Sequence, residues 1–287
     1  LALYLMFYFL SEIESREDFV TGTLFVLLLF EIYFSFSPIL KDISSDSLIF
    51  RSVKYSGLAA NVNITSFSLV FKLPILLYLI TKVKTKLKKI LLSILLTILL
   101  YTTFILGTRG ALLGLIICFG VYFFFIIINY KTIKNQLSGL FLIAFSVILS
   151  VTFNLNTNFN GSGNSVIERA STISISAKDG SVNQRLRYYK HGLSQFLETP
   201  FLGIGIGNWK FKSINYDKNN IIGYVIPYHA HNDFIQILAE QGFFGFLFYV
   251  MVFLSTVFIV LKKKLISKKS PYTFLIGSFL IFFLDSN

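Results

Sequence analysis

Charged residues are scarce in this chain: Asp, Glu, Lys and Arg make up only 14% of its 287 residues. Soluble globular domains contain about 25% charged residues. Hydrophobic residues reach 54%, and the mean hydropathy is +0.70. Cysteine is also scarce. Cys118 is the single cysteine, so no intramolecular disulfide can form. The composition therefore excludes an ordinary soluble domain and favours a membrane protein.

Long apolar runs show where the chain crosses the membrane, since about 18 such residues suffice for one helix. The runs predict spans at Phe19–Phe36, Gly57–Ile80, Ile90–Leu106, Ala111–Ile128, Leu137–Phe153 and Phe234–Leu261. The sequence does not show the repeated short alternation of a membrane β-barrel. We therefore expect an all-α, polytopic transmembrane bundle with one large extracytoplasmic loop that contains short helices.

The domain organisation follows from these spans. Residues 1–153 and 234–287 are predicted to be transmembrane, and residues 154–233 to form the large loop. The apolar runs Leu1–Leu10 and Phe274–Leu284 are too short to span. We therefore expect the sequence to be truncated at both ends.

The net charge of +12 has two readings, a nucleic-acid partner or basic residues that fix membrane topology. The second is favoured, with no nucleic acid expected, because the lysines flank the spans. Thirteen basic residues fall in one set of alternate loops, against four in the other: Lys41, Arg51, Lys54 and Arg109. Because cytoplasmic loops are enriched in Lys and Arg, the large loop is predicted to lie outside.

A tight turn between two spans carries Arg109, within the stretch Leu106–Gly114. Flanking glycines allow close approach of a ligand. Arginine offers a planar fork of donors suited to phosphate oxygens. The alternative is a topology anchor that reaches to the membrane interface.

The sequence of the large loop predicts an amphipathic helix over Gln184–Glu198, with Asn183 as its N-cap. The helix is expected to end before Pro200. Arg185 and Tyr189 are one turn apart on this helix, and Arg187 and Lys190 add to the cluster. The cluster can hold an anion or form a solvated face. Gly203, Gly205 and Gly207 lack the context of a nucleotide loop and are interpreted as a turn, and Trp209 as an interfacial residue.

Two of the three histidines, His229 and His231, precede the last complete span. A zinc site is one interpretation, but it needs three or four protein ligands. Proton transfer is favoured for His231, because it is predicted at the N-terminal rim of a helix, where a histidine suits a general base. Glu240 lies inside that helix, which is costly without a partner. Its candidate partner is Arg109 or Arg185, and a structural ion pair is the alternative.

Three blocks of sequence, taken together, resemble the O-antigen ligase and O-antigen polymerase superfamily. They are "TRGALLG" at Thr108–Gly114, "RLRYYKHGLSQFLETPFLGIGIGNW" at Arg185–Trp209 and "HAHNDFIQILAEQGFFG" at His229–Gly245. The resemblance covers about Ile90–Leu261. Thr108 stands where the family has serine, and His229 adds a second histidine before "HND".

The resemblance implies a metal-independent glycosyltransferase that uses no cofactor and takes its glycan from undecaprenyl diphosphate. It implies that His231 is the catalytic base and that Arg109 and Arg185 bind the donor diphosphate. Further support is expected from four residues: Glu240, Arg187, His229 and Tyr189. The acceptor is a growing glycan, as in a polymerase, or a lipid core such as that of lipopolysaccharide, as in a ligase; we lean slightly towards the polymerase.

The same resemblance implies a multi-pass protein of the bacterial cytoplasmic (inner) membrane, with its active site on the extracytoplasmic side. One alternative function is a membrane transporter of an anion such as bicarbonate, suggested by intramembrane Lys72 and Glu240. Another is a purely structural membrane scaffold, which leaves the outer basic groups unexplained.

Overall fold

The computed structural model describes residues 16–128, 137–157, 159, 180–220 and 227–262. These residues form helices and no strand, which confirms the all-α prediction. The apolar runs at both ends of the chain lie outside the described residues. The helices are α1 Arg16–Ser44, α2 Val62–Lys82, α3 Lys86–Leu106, α4 Arg109–Ile128, α5 Leu137–Leu155, α6 Gly180–Glu198, α7 Trp209–Asp217 and α8 Asp233–Lys262.

Five helices in the described part of the chain are long and apolar enough to cross a membrane: α1, α2, α3, α5 and α8. The apolar segment Arg109–Phe124 of α4 is shorter. The chain is therefore a polytopic helical membrane protein. Predicted and observed bounds differ most at α1, which continues past Phe36 to Ser44 with Pro38 inside it.

The start of α2 also differs from the prediction. Gly57–Ala59 forms a separate 3-10 turn, so the helix begins at Val62 rather than at Gly57. Asn61 caps it, since the Asn61 side chain accepts hydrogen bonds from the backbone N–H groups of Asn63 and Ile64 at 2.8 and 3.3 Å. Such capping satisfies N–H groups that have no partner within the helix.

The described helices form two compact units, α1–α5 and α6–α8. In the first, α2 and α3 are central, since 67% of the apolar window of each is buried, against 22% for α1 and 28% for α5. Lys72 of α2 is buried there and its Nζ lies 2.9 Å from Glu31 Oε1. A charge buried in this way needs a partner, and Glu31 supplies it.

The second unit packs α6, α7 and α8 around the buried residues Tyr188, Trp209, Ala230 and Ala239. The prediction for α6 was right at its end, Glu198, and wrong at its start, because the helix begins at Gly180 and Asn183 lies inside it. The prediction of an interfacial Trp209 was also wrong. Its side chain is fully buried, because the connection after α6 folds α7 back onto α8.

Candidate active site

The start of α8 positions His231. Asn232 caps the helix, since its side-chain Oδ1 accepts a hydrogen bond from Ile235 N at 3.0 Å. The Gln236 side chain reaches back and accepts from Ala230 N at 3.1 Å. Between these two contacts, His231 has a left-handed backbone with φ of 56°. Such strain persists in a non-glycine residue only where the surroundings fix it.

Two adjacent tyrosines of α6 hold His231 from one side. The Tyr188 ring stacks on the imidazole, with centroids 6.0 Å apart and planes 16° apart. The Tyr189 hydroxyl donates to the backbone oxygen of His231 at 3.3 Å. Tyr189 therefore supports the histidine through its backbone, whereas Tyr188, which was not among the predicted site residues, contacts the ring.

The surroundings of His231 keep its ring neutral. Burial lowers the pKa of His231 below its usual 6.5, and the positive charges of Arg185 and then His229 lower it further. The residue as a whole stays exposed, since Tyr188 covers only one face of the ring. A neutral and accessible imidazole can accept a proton at pH 7.

The arginines of α6 have different environments. Arg187 is held by the buried Asp217 of α7, with Nε 2.6 Å from Oδ1 and Nη2 donating to Oδ2 at 3.2 Å. The Arg187 guanidinium also lies 5.6 Å from the centroid of the Tyr188 ring. Arg185 is exposed, and its side chain makes no ion pair or hydrogen bond to another described residue. Arg185 is thus available to a ligand, whereas Arg187 braces the tyrosine beneath His231.

This bracing predicts energetic coupling between Arg187 and Asp217. We expect Arg187→Ala and Asp217→Ala each to destabilise the second unit, because each removes one member of a largely buried ion pair. The double variant should lose less free energy of unfolding than the sum of the losses of the two single variants, by about 0.5–3 kcal/mol. Unfolding of detergent-purified protein, followed by the fluorescence of its single tryptophan, measures the cycle. Additive effects would contradict the pairing.

Glu240 is buried, and within the described residues its carboxylate accepts hydrogen bonds instead of forming the ion pair predicted with Arg109 or Arg185. Its Oε1 accepts hydrogen bonds from Trp209 N at 3.0 Å and from Gln236 Nε2 at 3.4 Å. Trp209 is the first residue of α7, so the carboxylate caps the positive end of that helix dipole. Glu240 therefore fixes α7 to α8, and with it Asp217 at the far end of α7.

A break in α8 receives the loop that follows α6. Gly242 has φ of 65° and ψ of −165°, which interrupts the helix. Around the break, the backbone N–H groups of Ile204 and Gly205 donate to the carbonyls of Ala239 and Glu240 at 3.1 and 2.8 Å. The interpretation of Gly203, Gly205 and Gly207 as a turn is confirmed by their positive φ angles. Gly242 thus gives room to this loop, since a Cβ there would lie 2.5 Å from Phe201 C and O.

Arg109 belongs to the first unit, where it begins α4 after a tight turn. Gly107 ends α3 in the left-handed conformation, with φ of 56°. Aromatic rings cover both flanking glycines: a Cβ on Gly107 would lie 2.2 Å from Phe50 Cζ, and one on Gly110 would lie 2.4 Å from Phe67 Cζ. A side chain at either position would displace a ring, and at Gly107 it would also meet a left-handed φ, so glycine favours this turn at both positions.

The sequence model of a family described as O-antigen ligase matches residues 92–250. That match covers more than half of the 287 residues and includes the Arg109 turn, α6 and the start of α8. The chain belongs to the O-antigen ligase family. Among curated proteins, none matches it.

Membership of the O-antigen ligase family confirms the resemblance drawn from the three blocks. It supports a membrane protein of the ligase or polymerase type that processes glycans and acts on lipid-linked glycan substrates. The roles of individual residues stay predictions: His231 as base, Arg109 and Arg185 as donor ligands. The boundaries at 153 and 234 also stay predictions.

The two remaining histidines have contrasting surroundings. His229 is exposed, and nothing in its contacts assigns it a role beyond its charge near His231. His191 lies between the rings of Tyr188 and Tyr216, with centroids 6.4 and 5.6 Å away. Within the described residues, no group of three or more His, Cys, Asp or Glu side chains is placed to hold a metal ion. The pair of His229 and His231 thus lacks a third ligand in that part of the chain.

Proposed function

We propose that this protein transfers a glycan from undecaprenyl diphosphate to an acceptor hydroxyl, without a metal ion, in the synthesis of a bacterial surface polysaccharide of the O-antigen type. The acceptor is a growing lipid-linked glycan or a lipid core. We place the reaction at the extracytoplasmic side of the cytoplasmic membrane. Family membership supports the class of reaction; the donor, the side and the residue roles are our inference.

One observation carries the proposal: a neutral, accessible imidazole and an arginine without an ion pair lie on the same unit. His231 has a lowered pKa, and Arg185 is close enough for its charge to contribute to that shift. Transfer from a lipid diphosphate requires both features, because a proton must leave the acceptor and negative charge must be stabilised on the leaving group.

The reaction is a single displacement at the anomeric carbon. His231 accepts the proton of the acceptor hydroxyl as its oxygen forms a bond to that carbon. The bond from the anomeric carbon to the diphosphate oxygen breaks, and the lipid diphosphate leaves with the electron pair. Arg185 and Arg109 stabilise its charge through charge-assisted hydrogen bonds. The configuration at the anomeric carbon is thereby inverted.

The charge distribution supports the extracytoplasmic side. The set of alternate loops that includes the α2–α3 and α4–α5 connections has thirteen basic residues around it, against four for the other set, which favours the cytoplasm for the first set. The turn with Arg109 and the segment before α8 then both fall on the opposite side. Undecaprenyl-linked glycans for surface polymers would meet the protein there.

The transporter alternative rested on Lys72 and Glu240 as charges along an ion path. Lys72 is paired with Glu31, and Glu240 accepts hydrogen bonds from the start of α7. Both groups therefore have structural partners, and no contact of either favours transport.

Removing the charge of Arg185 should affect both donor binding and pH dependence. We expect Arg185→Gln to weaken donor binding by about 10- to 100-fold, as for loss of a charged hydrogen bond. Because Arg185 lowers the pKa of His231, its loss should raise that pKa, and the acidic limb of kcat/KM should move to higher pH. Transfer rates across pH and donor concentration measure both effects.

Lys190→Gln is the matched control for Arg185→Gln, because Lys190 is also exposed and lies on the same helix. It should change neither the donor KM nor the pH profile appreciably. Equal effects of the two substitutions would show that only the overall charge of α6 matters, and would contradict a specific role for Arg185.

The glycans of a host that lacks this protein test the function itself. Single repeat units without long chains would identify the polymerase. Long chains that stay on undecaprenyl diphosphate would identify the ligase. An unchanged glycan profile, with uptake of an anion lost instead, would reject glycan transfer in favour of transport.

A further inference from the structure

The loop between α1 and α2, residues 45–61, brings a second arginine to the turn that carries Arg109. Arg51 N donates a hydrogen bond to the carbonyl of Ile105, in the last turn of α3, at 3.0 Å. The neighbouring ring of Phe50 covers Gly107 in the same turn. Arg51 and Arg109 therefore lie at the same end of the first unit, although they are far apart in sequence.

The backbone of Arg51 is fixed in place. Its φ of 57° is left-handed, a conformation that non-glycine residues rarely adopt. Nearby, the buried Tyr55 donates its hydroxyl to Asp42 Oδ2 at 2.6 Å and accepts from Ile49 N at 3.1 Å. These contacts anchor the loop on both sides of Arg51, so the base of its side chain has a defined position.

The loop contains two cations with different environments. Lys54 Nζ lies 2.5 Å from Asp42 Oδ1 and is thus neutralised. The half-buried side chain of Arg51 makes no ion pair or hydrogen bond to any other described residue. An arginine with a fixed backbone and no counter-charge, at the same end of the unit as a second arginine, is suited to an anion.

Thr108 supplies an independent sign of a ligand at this turn. Thr108 is only 3% exposed, and its Oγ1 has no hydrogen-bond partner within the described residues. Buried hydroxyl groups are normally satisfied, because an unsatisfied one costs free energy. Thr108 directly precedes α4, whose first backbone N–H groups have no partners within the helix and favour negative charge.

We propose that Arg51 is a second cation, beside Arg109, for the diphosphate of the lipid-linked donor. This inference rests on the proposed function and adds a binding residue to it. Arg51 precedes the residues 92–250 matched by the family, so its role is not part of the matched region. Two guanidinium groups can divide the two phosphates between them, and Thr108 Oγ1 can donate to a phosphate oxygen.

The test measures binding of undecaprenyl diphosphate, without a glycan, to the full chain in phosphatidylcholine nanodiscs. The main variant is Arg51→Gly, because glycine adopts the left-handed φ without strain and removes only the side chain. Arg51→Lys restores a charge, and Arg109→Gln removes the expected partner. Lys41→Gln is the matched control, since Lys41 is an exposed cation at the end of α1, in the same unit.

The proposal predicts that Arg51→Gly weakens binding by about 10- to 100-fold, that Arg51→Lys recovers part of it, and that Lys41→Gln binds like the wild type. Wild-type binding by Arg51→Gly, together with weak binding by Arg109→Gln, overturns the role of Arg51 and leaves the proposed function standing. Failure of the wild-type protein to bind undecaprenyl diphosphate overturns both.

A second set of nanodiscs contains phosphatidylglycerol, because its headgroup also carries a phosphate that an arginine could bind. The proposal predicts that the difference between the wild type and Arg51→Gly persists there. Loss of that difference would assign Arg51 to ordinary lipid headgroups and would overturn the proposal. Thermal unfolding of each variant shows whether the fold is kept, and Arg51→Lys provides the comparison should Arg51→Gly unfold.

Discussion

Replacement of His231 by alanine is expected to reduce glycan transfer by about 100- to 10,000-fold, the usual contribution of a general base. The expected loss is in kcat, because the imidazole acts on the acceptor proton and does not hold the donor diphosphate. The affinity for the donor should stay within about threefold of the wild-type value. Loss of even one ordinary hydrogen bond to the donor can weaken binding by more than this. Transfer and donor binding are measured on the same preparation.

His229→Ala is the control for His231→Ala, since the two histidines are neighbours and both are exposed. We expect it to keep most of the activity. It should also raise the pKa of His231 slightly, because His229 contributes to the lowering of that pKa. Activity that survives in His231→Ala but is lost in His229→Ala would move the base to His229.

Replacement of Gly242 by alanine is expected to destabilise the second unit strongly. A Cβ there would lie 2.5 Å from the carbonyl carbon and oxygen of Phe201 and 2.7 Å from Gly203 N. Because these are backbone atoms, a change of side-chain rotamer cannot relieve the overlap. The left-handed φ of 65° adds a further cost. Strain of about 1–3 kcal/mol, for a φ and ψ that essentially only glycine adopts, and overpacking of about 1–3 kcal/mol predict a loss of about 2–6 kcal/mol.

Trp209 reports this loss directly. It is the single tryptophan of the chain and is fully buried, and its backbone N–H is held by Glu240, close to the break. The fluorescence transition of Gly242→Ala should occur at a clearly lower temperature or denaturant concentration. Gly207→Ala is the matched control, because Gly207 also has a positive φ but a Cβ there meets nothing within 4 Å. Equal destabilisation by the two would show that strain alone, and not the inserted loop, sets the cost.

Much of the fold and part of the site could be predicted because their signals are local. The change from polar to apolar residues at Asn232 and Asp233 marked the start of α8, and Pro200 marked the end of α6. The glycines around Arg109 indicated a turn that only small residues allow. Such features depend on neighbours in sequence, and the structure agrees with them.

What could not be predicted depends on residues far apart in sequence. Asp217 holds Arg187 across thirty residues, and no local pattern joins the two. Trp209 was placed at the interface because its burial depends on how α7 folds back. The break at Gly242 was not predicted, because it depends on the loop after α6, which is far away in sequence. Glu240 was predicted to pair with an arginine side chain, whereas its carboxylate accepts a hydrogen bond from the backbone N–H group of Trp209.

The central claim is tested most directly by the purified chain in proteoliposomes with a glycan on undecaprenyl diphosphate and an acceptor glycan. A chelator is included, and release of undecaprenyl diphosphate and growth of the acceptor are both followed. The account predicts that release requires the acceptor, matches its growth mole for mole, and disappears in His231→Ala. Intact donor in the presence of the acceptor, or equal turnover by His231→Ala, would contradict it.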